Sequence, residues 1–221
     1  MKIESFWKNC SIVIPCRSDE SRQCDLLSDL SMLTTNAEIL VIQSKPSLMT
    51  SAGAPNQSRV KYFATKPSRA IQLNYGARIA SRKFIWFLHA DTRLETRAIE
   101  KLRAIRAIDT ETIYYFKLGF QLDGPKRCAL NALGANMRSQ FFKMPFGDQS
   151  YMLSKKLFLQ LKGFNEDLDY AEDFDFIKRA AHLRINIESI PIKVLTSARK
   201  YQQQGWLKTT FEHLNYVAKN W

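Results

Sequence analysis

Residues 68–94, SRAIQLNYGARIASRKFIWFLHADTRL, decide the fold. Ala70, Leu73, Ala77 and Ala80 recur at i, i+3, i+7 and i+10, which is one face of a helix. The chain then passes through Ser81, Arg82 and Lys83 into its most hydrophobic short run, 84–88, which reads as a strand buried on both faces. That strand runs directly into His89, Ala90, Asp91 and Thr92, so polar groups stand at its carboxyl end. Helix, buried strand and polar strand end together are the repeating piece of an α/β sheet.

The same piece recurs on both sides. Upstream, residues 10–16 are a short apolar, β-branched run that includes Pro15, followed by Asp19 and Ser21 as candidate N-caps and by Leu26, Leu27, Leu30 and Leu33 at helical spacing. Residues 38–43 and 60–64 read as two further strands, separated by a polar stretch holding Pro46, Gly53 and Pro55. Downstream, a helix is expected over 96–108, a strand over 113–122, a helix over 128–142, a short strand over 151–153 and short and longer helices over 155–161 and 172–183. A final strand over 187–194 precedes a carboxyl-terminal helix from 205 to 221, with Leu207, Phe211, Leu214 and Ala218 on one face. This order predicts a mostly parallel central sheet with helices on both faces, in which ligands bind at the carboxyl ends of the strands.

The 221 residues fit one domain, and no composition shift, repeat or linker marks a second. With 45% hydrophobic and 12% aromatic residues the chain is neither disordered nor fibrous. No apolar run approaches the roughly 18 residues of a membrane span. The first ten residues carry Glu4 and lack an apolar signal core, so the expected location is cytoplasmic. Cys10, Cys16, Cys24 and Cys128 form no C-x-x-C pair and are expected to be reduced packing residues.

Lys and Arg exceed Asp and Glu by 33 to 21, a net charge of +12 that favours an anionic partner: nucleic acid, a phosphorylated small molecule or an acidic membrane. The basic residues gather at 66–82 and 199–208, while six acids crowd positions 166–175. No aromatic stacking motif or helix-turn-helix pattern supports nucleic acid. No G-x-G-x-x-G or P-loop occurs, and the loop after the first strand has no glycine, against dinucleotide, P-loop and nucleotidyltransferase chemistry.

Two carboxylate groups stand out, each with two readings. Asp91, with His89 two residues earlier, either coordinates a divalent cation on phosphate oxygens or caps the following helix. Glu172 and Asp173 either carry chemistry or complement the positive end of a helix dipole. The aromatic face of the last helix either lies on a membrane surface or packs on the domain or in a dimer.

Three blocks, SIVIPCRSDE, the 68–94 segment and FGDQSYMLSKKLFLQLKGFNEDLDYAEDFDFIKRA, with Ser197-Ala198-Arg199-Lys200-Tyr201 after them, resemble in order a family 2 glycosyltransferase of the GT-A fold. Within it they are similar to a small soluble subgroup reading LHADT in place of D-x-D. The resemblance covers about 10–206. It implies a single GT-A domain, Rossmann-like, with a nucleotide-sugar-binding half over about 8–110 and a smaller acceptor-side half over about 111–221. It implies inverting transfer of a sugar from a nucleotide-diphosphate donor to a hydroxyl acceptor, which in such enzymes can be lipid-linked. Carried over residue by residue, Pro15, Arg17, Glu20, Gln43, Arg69, Gln72, Asn74, Ala90 and Asp91 would border the donor. Asp91 with His89 would hold Mg²⁺ or Mn²⁺, and Asp173 of the Glu172–Asp173 pair would be the general base. Gly147, Asp148 and Gln149 would wall the acceptor side, and Arg199 with Trp206 would form a flap. One departure is Gln43, where relatives end the second strand with an acid; a catalytically silent GT-A protein that binds a nucleotide or partner is the alternative this opens.

Overall fold

The computed structural model describes residues 6–17, 22–33, 36–44 and 59–220, leaving the side chains of His213, Ala218 and Asn220 aside. Glu20, the capping candidates Asp19 and Ser21, the Pro46–Pro55 stretch and Trp221 lie outside the described residues.

Seven strands form one sheet: β1 (Cys10–Cys16), β2 (Glu38–Gln43), β3 (Val60–Ala64), β4 (Phe84–Phe87), β5 (Thr112–Phe120), β6 (Tyr151–Ser154) and β7 (Asn186–Thr196). Their spatial order is β3-β2-β1-β4-β6-β5-β7. Every neighbouring pair is parallel except those of β6, which runs antiparallel to both β4 and β5. The fold is therefore the expected mixed α/β layer with a mostly parallel sheet. The reversal of β6 matters for position, because it brings the start of β6 to the same rim as the ends of the other six.

Helices α1 (Gln23–Leu33), α2 (Arg69–Ile79), α3 (Thr96–Arg103), α4 (Cys128–Phe142), α5 (Lys155–Gln160), α6 (Glu172–His182), α7 (Arg199–Gln204) and α8 (Trp206–Asn220) surround it. Period-two alternation divides the core. Ile12, Ile14, Trp86, Phe116 and Met152 face one side with Leu26 and Leu30 of α1 and Ile99 and Leu102 of α3. Val13, Ile85, Phe87, Tyr151 and Leu153 face the other with Leu73 of α2, Phe158 of α5 and Phe176 of α6. Gly76 lets α2 sit on β1, since a Cβ there would lie 2.3 Å from Val13 Cγ1. Trp86 fills the first layer between Trp7 and Phe116, and its indole N–H donates to Ser150 Oγ at 2.7 Å. The buried aromatic thus keeps its polar atom satisfied.

Some boundaries differ from the pattern-based ones. The third helix stops at Arg103, where Ala104 N–H turns to the Lys101 and Leu102 carbonyls, leaving Ile105 and Ile108 to pack from a loop. The last strand runs to Thr196, and its pairing with β5 slips between Phe116↔Ile190 and Lys117↔Lys193. Pro191 sits in that slip, where its missing N–H costs no ladder bond. Beyond it, α7 is an additional helix, separated from α8 by Gly205 at φ 89°. The apolar residues Leu207, Phe211 and Leu214 do not pack on the domain as one reading of that helix expected; each is at least 63% exposed.

Cys10, Cys16 and Cys128 are buried and Cys24 is exposed; all four are free thiols. Burial alone pushes the Cys10 thiol far above its ordinary value, as expected of an inert packing residue.

Candidate active site

The carboxyl ends of β4 and β7 and the start of α6 open onto one cleft of about 840 Å³. Arg69, His89, Asp91, Asp148, Glu172 and Asp173 all line it, with Ser197, Lys200, Tyr201 and one side of α8. Asp91 and Asp173 are far apart in sequence, yet they face the same space.

The Glu172–Asp173 pair sits in the first turn of α6, where the helix dipole favours negative charge. The two side chains diverge. Glu172, 3% exposed, is ion-paired with Arg69 Nε at the start of α2. Asp173 keeps 14% exposure, 3.8 Å from the same guanidinium. Its Oδ2 accepts from Gly147 N–H at 2.5 Å and its Oδ1 from Phe174 N–H at 2.9 Å. Gly147 allows this close approach, since a Cβ there would lie 2.8 Å from Asp173 Oδ2 and displace it. The consequence is a division of labour: one acid is neutralised by a cation, and the other is held in a fixed orientation at the cleft wall. Burial works against the Arg69 charge, but Asp173 and Glu172 outweigh it and hold the guanidinium above its ordinary value.

His89 and Asp91 follow β4 in a turn closed by Thr92 N–H on the His89 carbonyl at 3.0 Å. Gln121, after β5, donates to the Asp91 carbonyl at 2.5 Å and so ties this turn to the neighbouring strand end. Burial, assisted by the Arg69 charge, lowers the His89 pKa to about 4, so its imidazole is neutral at pH 7 and able to ligate. Among the described residues no group of three or more His, Cys, Asp and Glu forms a ready metal cage. A neutral imidazole and one carboxylate on the same cleft, His89 and Asp91, are the groups that could hold a divalent cation there.

Asp148, one residue beyond Gly147, also lines the cleft. Its Oδ1 is buried without a hydrogen-bond partner among the described residues. Burial raises its pKa to about 6, with Asp173 adding to the rise and Arg138 and Arg69 opposing it. Arg138 lies beneath, stacked 3.7 Å over the Phe146 ring, with its Nη2 likewise buried and unpartnered.

Several residues assigned by resemblance have other work. Asn74 does not line this cleft: its amide bonds Phe164 N–H and carbonyl and the Glu166 carboxylate, fixing the 163–166 loop. Gln72 donates to the Cys16 and Ile42 carbonyls, clamping the ends of β1 and β2. Gln149 is fully buried, accepting from Ser139 Oγ and Phe146 N–H, so it supports the loop from behind rather than forming an acceptor wall. Trp206 donates to Asn131 of α4 at 2.6 Å, and Arg199 Nε donates to Ser197 Oγ at 3.1 Å; neither closes over the cleft. Pro15, Gln43 and Ala90 are buried in or beside strand ends, while Arg17 is exposed after β1.

Sequence reading passed over a second rim network. Arg22 is ion-paired to Asp123 at 2.6 Å, and Asp123 accepts from Ser197 Oγ and Ala198 N–H, joining the starts of α1 and α7 to the end of β5. Arg138 was legible in principle, as the one charge in the otherwise uncharged α4.

This fold, a mostly parallel sheet with carboxylates lining a cleft at one rim, is shared with solved structures. In solved structures it is similar to TarS from S. aureus, at TM-score 0.59 and 15% identity over 86% of this chain and 37% of that one, and to TarS 1–349, at 0.59 and 16% over 86% and 60%. It is also similar to the mannosyltransferase PcManGT from Pyrobaculum calidifontis in complex with GDP-Man and Mn²⁺, at 0.57 and 16% over 85% and 56%. The chain thus spans less than two thirds of each of these proteins. No protein-family model and no curated protein sequence matches it.

Proposed function

We propose that the protein is an inverting glycosyltransferase that moves a sugar from a nucleotide-diphosphate donor to a hydroxyl acceptor. The observation that carries this is the shared cleft of Asp91 and Asp173 at the carboxyl rim of the sheet, with Arg69 between α2 and α6. A sugar or lipid hydroxyl is a poor nucleophile, and a positioned carboxylate taking its proton supplies roughly 10²–10⁴ in rate. Asp173 is the base. Gly147 and Phe174 N–H groups aim its carboxylate, and the Arg69–Glu172 pair stops the neighbouring acid from competing for the proton. The acceptor oxygen bonds to the anomeric carbon as the bond from that carbon to the diphosphate oxygen breaks. The electron pair leaves with the diphosphate and the acceptor proton ends on Asp173. Arg69 bears on the departing charge through its remaining N–H groups. His89 and Asp91 are the residues that would hold Mg²⁺ or Mn²⁺, which supplies positive charge to the diphosphate. The GDP-Man and Mn²⁺ in the mannosyltransferase with this fold support a nucleotide-sugar donor and a divalent cation.

The test combines calorimetric donor binding with nucleotide release in Mn²⁺. Asp173→Asn is expected to keep donor affinity within about twofold and to lose roughly 10²–10⁴ in turnover. Asp91→Ala is expected to abolish the metal-dependent part of donor binding. Loss of binding in the first variant, or full activity of the second in chelator, would refute the assigned roles. Donor binding without turnover across many acceptors would favour the silent, nucleotide-binding alternative.

A further inference from the structure

Helix α4 shows the body of the protein only a narrow polar and small-residue face, on which Cys128, Ala132 and Ser139 are buried. Its opposite face carries Leu130, Leu133, Met137 and Phe141 at i, i+3, i+7 and i+11, each between 51% and 69% exposed. Helix α8 repeats the arrangement: Thr209 is buried, whereas Leu207, Phe211 and Leu214 are 63–71% exposed. Asn131 of α4 bonds both Thr210 and Trp206 of α8, at 2.8 Å and 2.6 Å, so the two helices are joined there. Each apolar stripe lies opposite the buried residues of its own helix. Exposed apolar stripes of this kind are uncommon on a globular domain and mark an interaction site.

Charge selects the occupant. Lys126, Arg127 and Lys143 flank α4 and Lys208 stands on α8; across 126–143 and 206–220 the one acid is Glu212, which together with Lys219 lies on the side of α8 that lines the cleft. A twofold pairing of this surface with a second copy would set basic rim against basic rim. An anionic bilayer complements the rim and takes up the apolar stripes. No described helix is long and apolar enough to cross a membrane, so the contact is in-plane.

We infer that α4 and α8 together form a docking surface for an anionic lipid bilayer. Because Glu212, Asn215, Tyr216 and Lys219 line the cleft, the helix that docks is also a wall of the cleft. Joined to the transferase reading, on which this one clause rests, the acceptor is a hydroxyl carried at the bilayer surface.

Vesicle flotation of the full chain tests the docking without donor or acceptor. Binding is expected to vesicles of equal parts phosphatidylcholine and phosphatidylglycerol, and to fall steeply with salt and on pure phosphatidylcholine. The exposed-site variants Met137→Glu with Phe141→Glu, and separately Phe211→Glu, should lose it with unchanged melting temperatures. Lys126→Gln with Lys143→Gln should weaken it by roughly fivefold per charge. No flotation with any vesicle, undiminished binding of the glutamate variants, or a dimer in solution that these variants split into monomers without any vesicle binding would each overturn the inference. Flotation with no sugar transfer to any acceptor would refute the transferase reading and leave the docking surface standing.

Discussion

Replacing Asp148 by Asn should make the protein more stable and less active. Asp148 holds a carboxyl with a buried, unpartnered oxygen, and its pKa of about 6 lies above the ordinary 3.8 because burial outweighs the attraction of Arg138 and Arg69. A carboxyl with a raised folded-state value binds its proton more tightly in the native than in the unfolded chain. The native state is therefore unpenalised below pH ~4, loses stability as the pH rises through the interval to 6, and bears the whole cost above it. The difference corresponds to roughly 3 kcal/mol at pH 8. At about 2–4 °C per kcal/mol for a chain of this size, Asp148→Asn should melt roughly 6–12 °C higher than the parent at pH 8 and near it at pH 4. Urea denaturation of both proteins from pH 4 to 8 measures this directly, since groups common to both cancel in the difference. A difference that does not change with pH, or a variant destabilised equally at both ends, would show that the carboxyl is not held under desolvation. A site that keeps so costly a charge at neutral pH is expected to use it, so turnover should fall while stability rises.

Gly147→Ala drives a methyl group into Asp173 Oδ2, so kcat should drop at least tenfold with a stability loss of roughly 1–3 kcal/mol, read by steady-state kinetics and denaturation. A variant with parental kcat would mean the Gly147 contact does not orient the base. Asn74→Ala should cost roughly 1–3 kcal/mol by leaving the Phe164 N–H and carbonyl unmet, with donor affinity unaltered in calorimetry. A large loss of donor affinity at parental stability would return that residue to the donor site.

Much of the fold could be read from local pattern. Residues 10–16, 38–43 and 60–64 form the strands that their apolar runs indicate, because burial leaves its pattern in the sequence wherever the element forms. Boundaries set by backbone partners were less visible: nothing local to 104–108 announces that α3 ends at Arg103, and the slip at Pro191 exists only relative to β5. The acidic cluster at 166–175 also divided in a way spacing does not encode. Glu166 serves Asn74, Asp175 pairs with Arg179, Glu172 pairs with Arg69, and Asp173 is left at the cleft.

By itself the sequence determined the α/β layering, the polar strand ends and the positive charge, since each is a property of neighbouring residues or of composition. Only the tertiary structure decided which carboxylates meet. Asp91, after β4, and Asp173, in the first turn of α6, line one cleft, and Arg69 of α2 clasps the start of α6. The side amides of Gln72, Asn74 and Gln149 were likewise drawn to backbone groups remote in the chain. Hydrogen-bond partners are chosen by distance in the folded state, whereas hydrophobic period is fixed one turn or one pleat at a time.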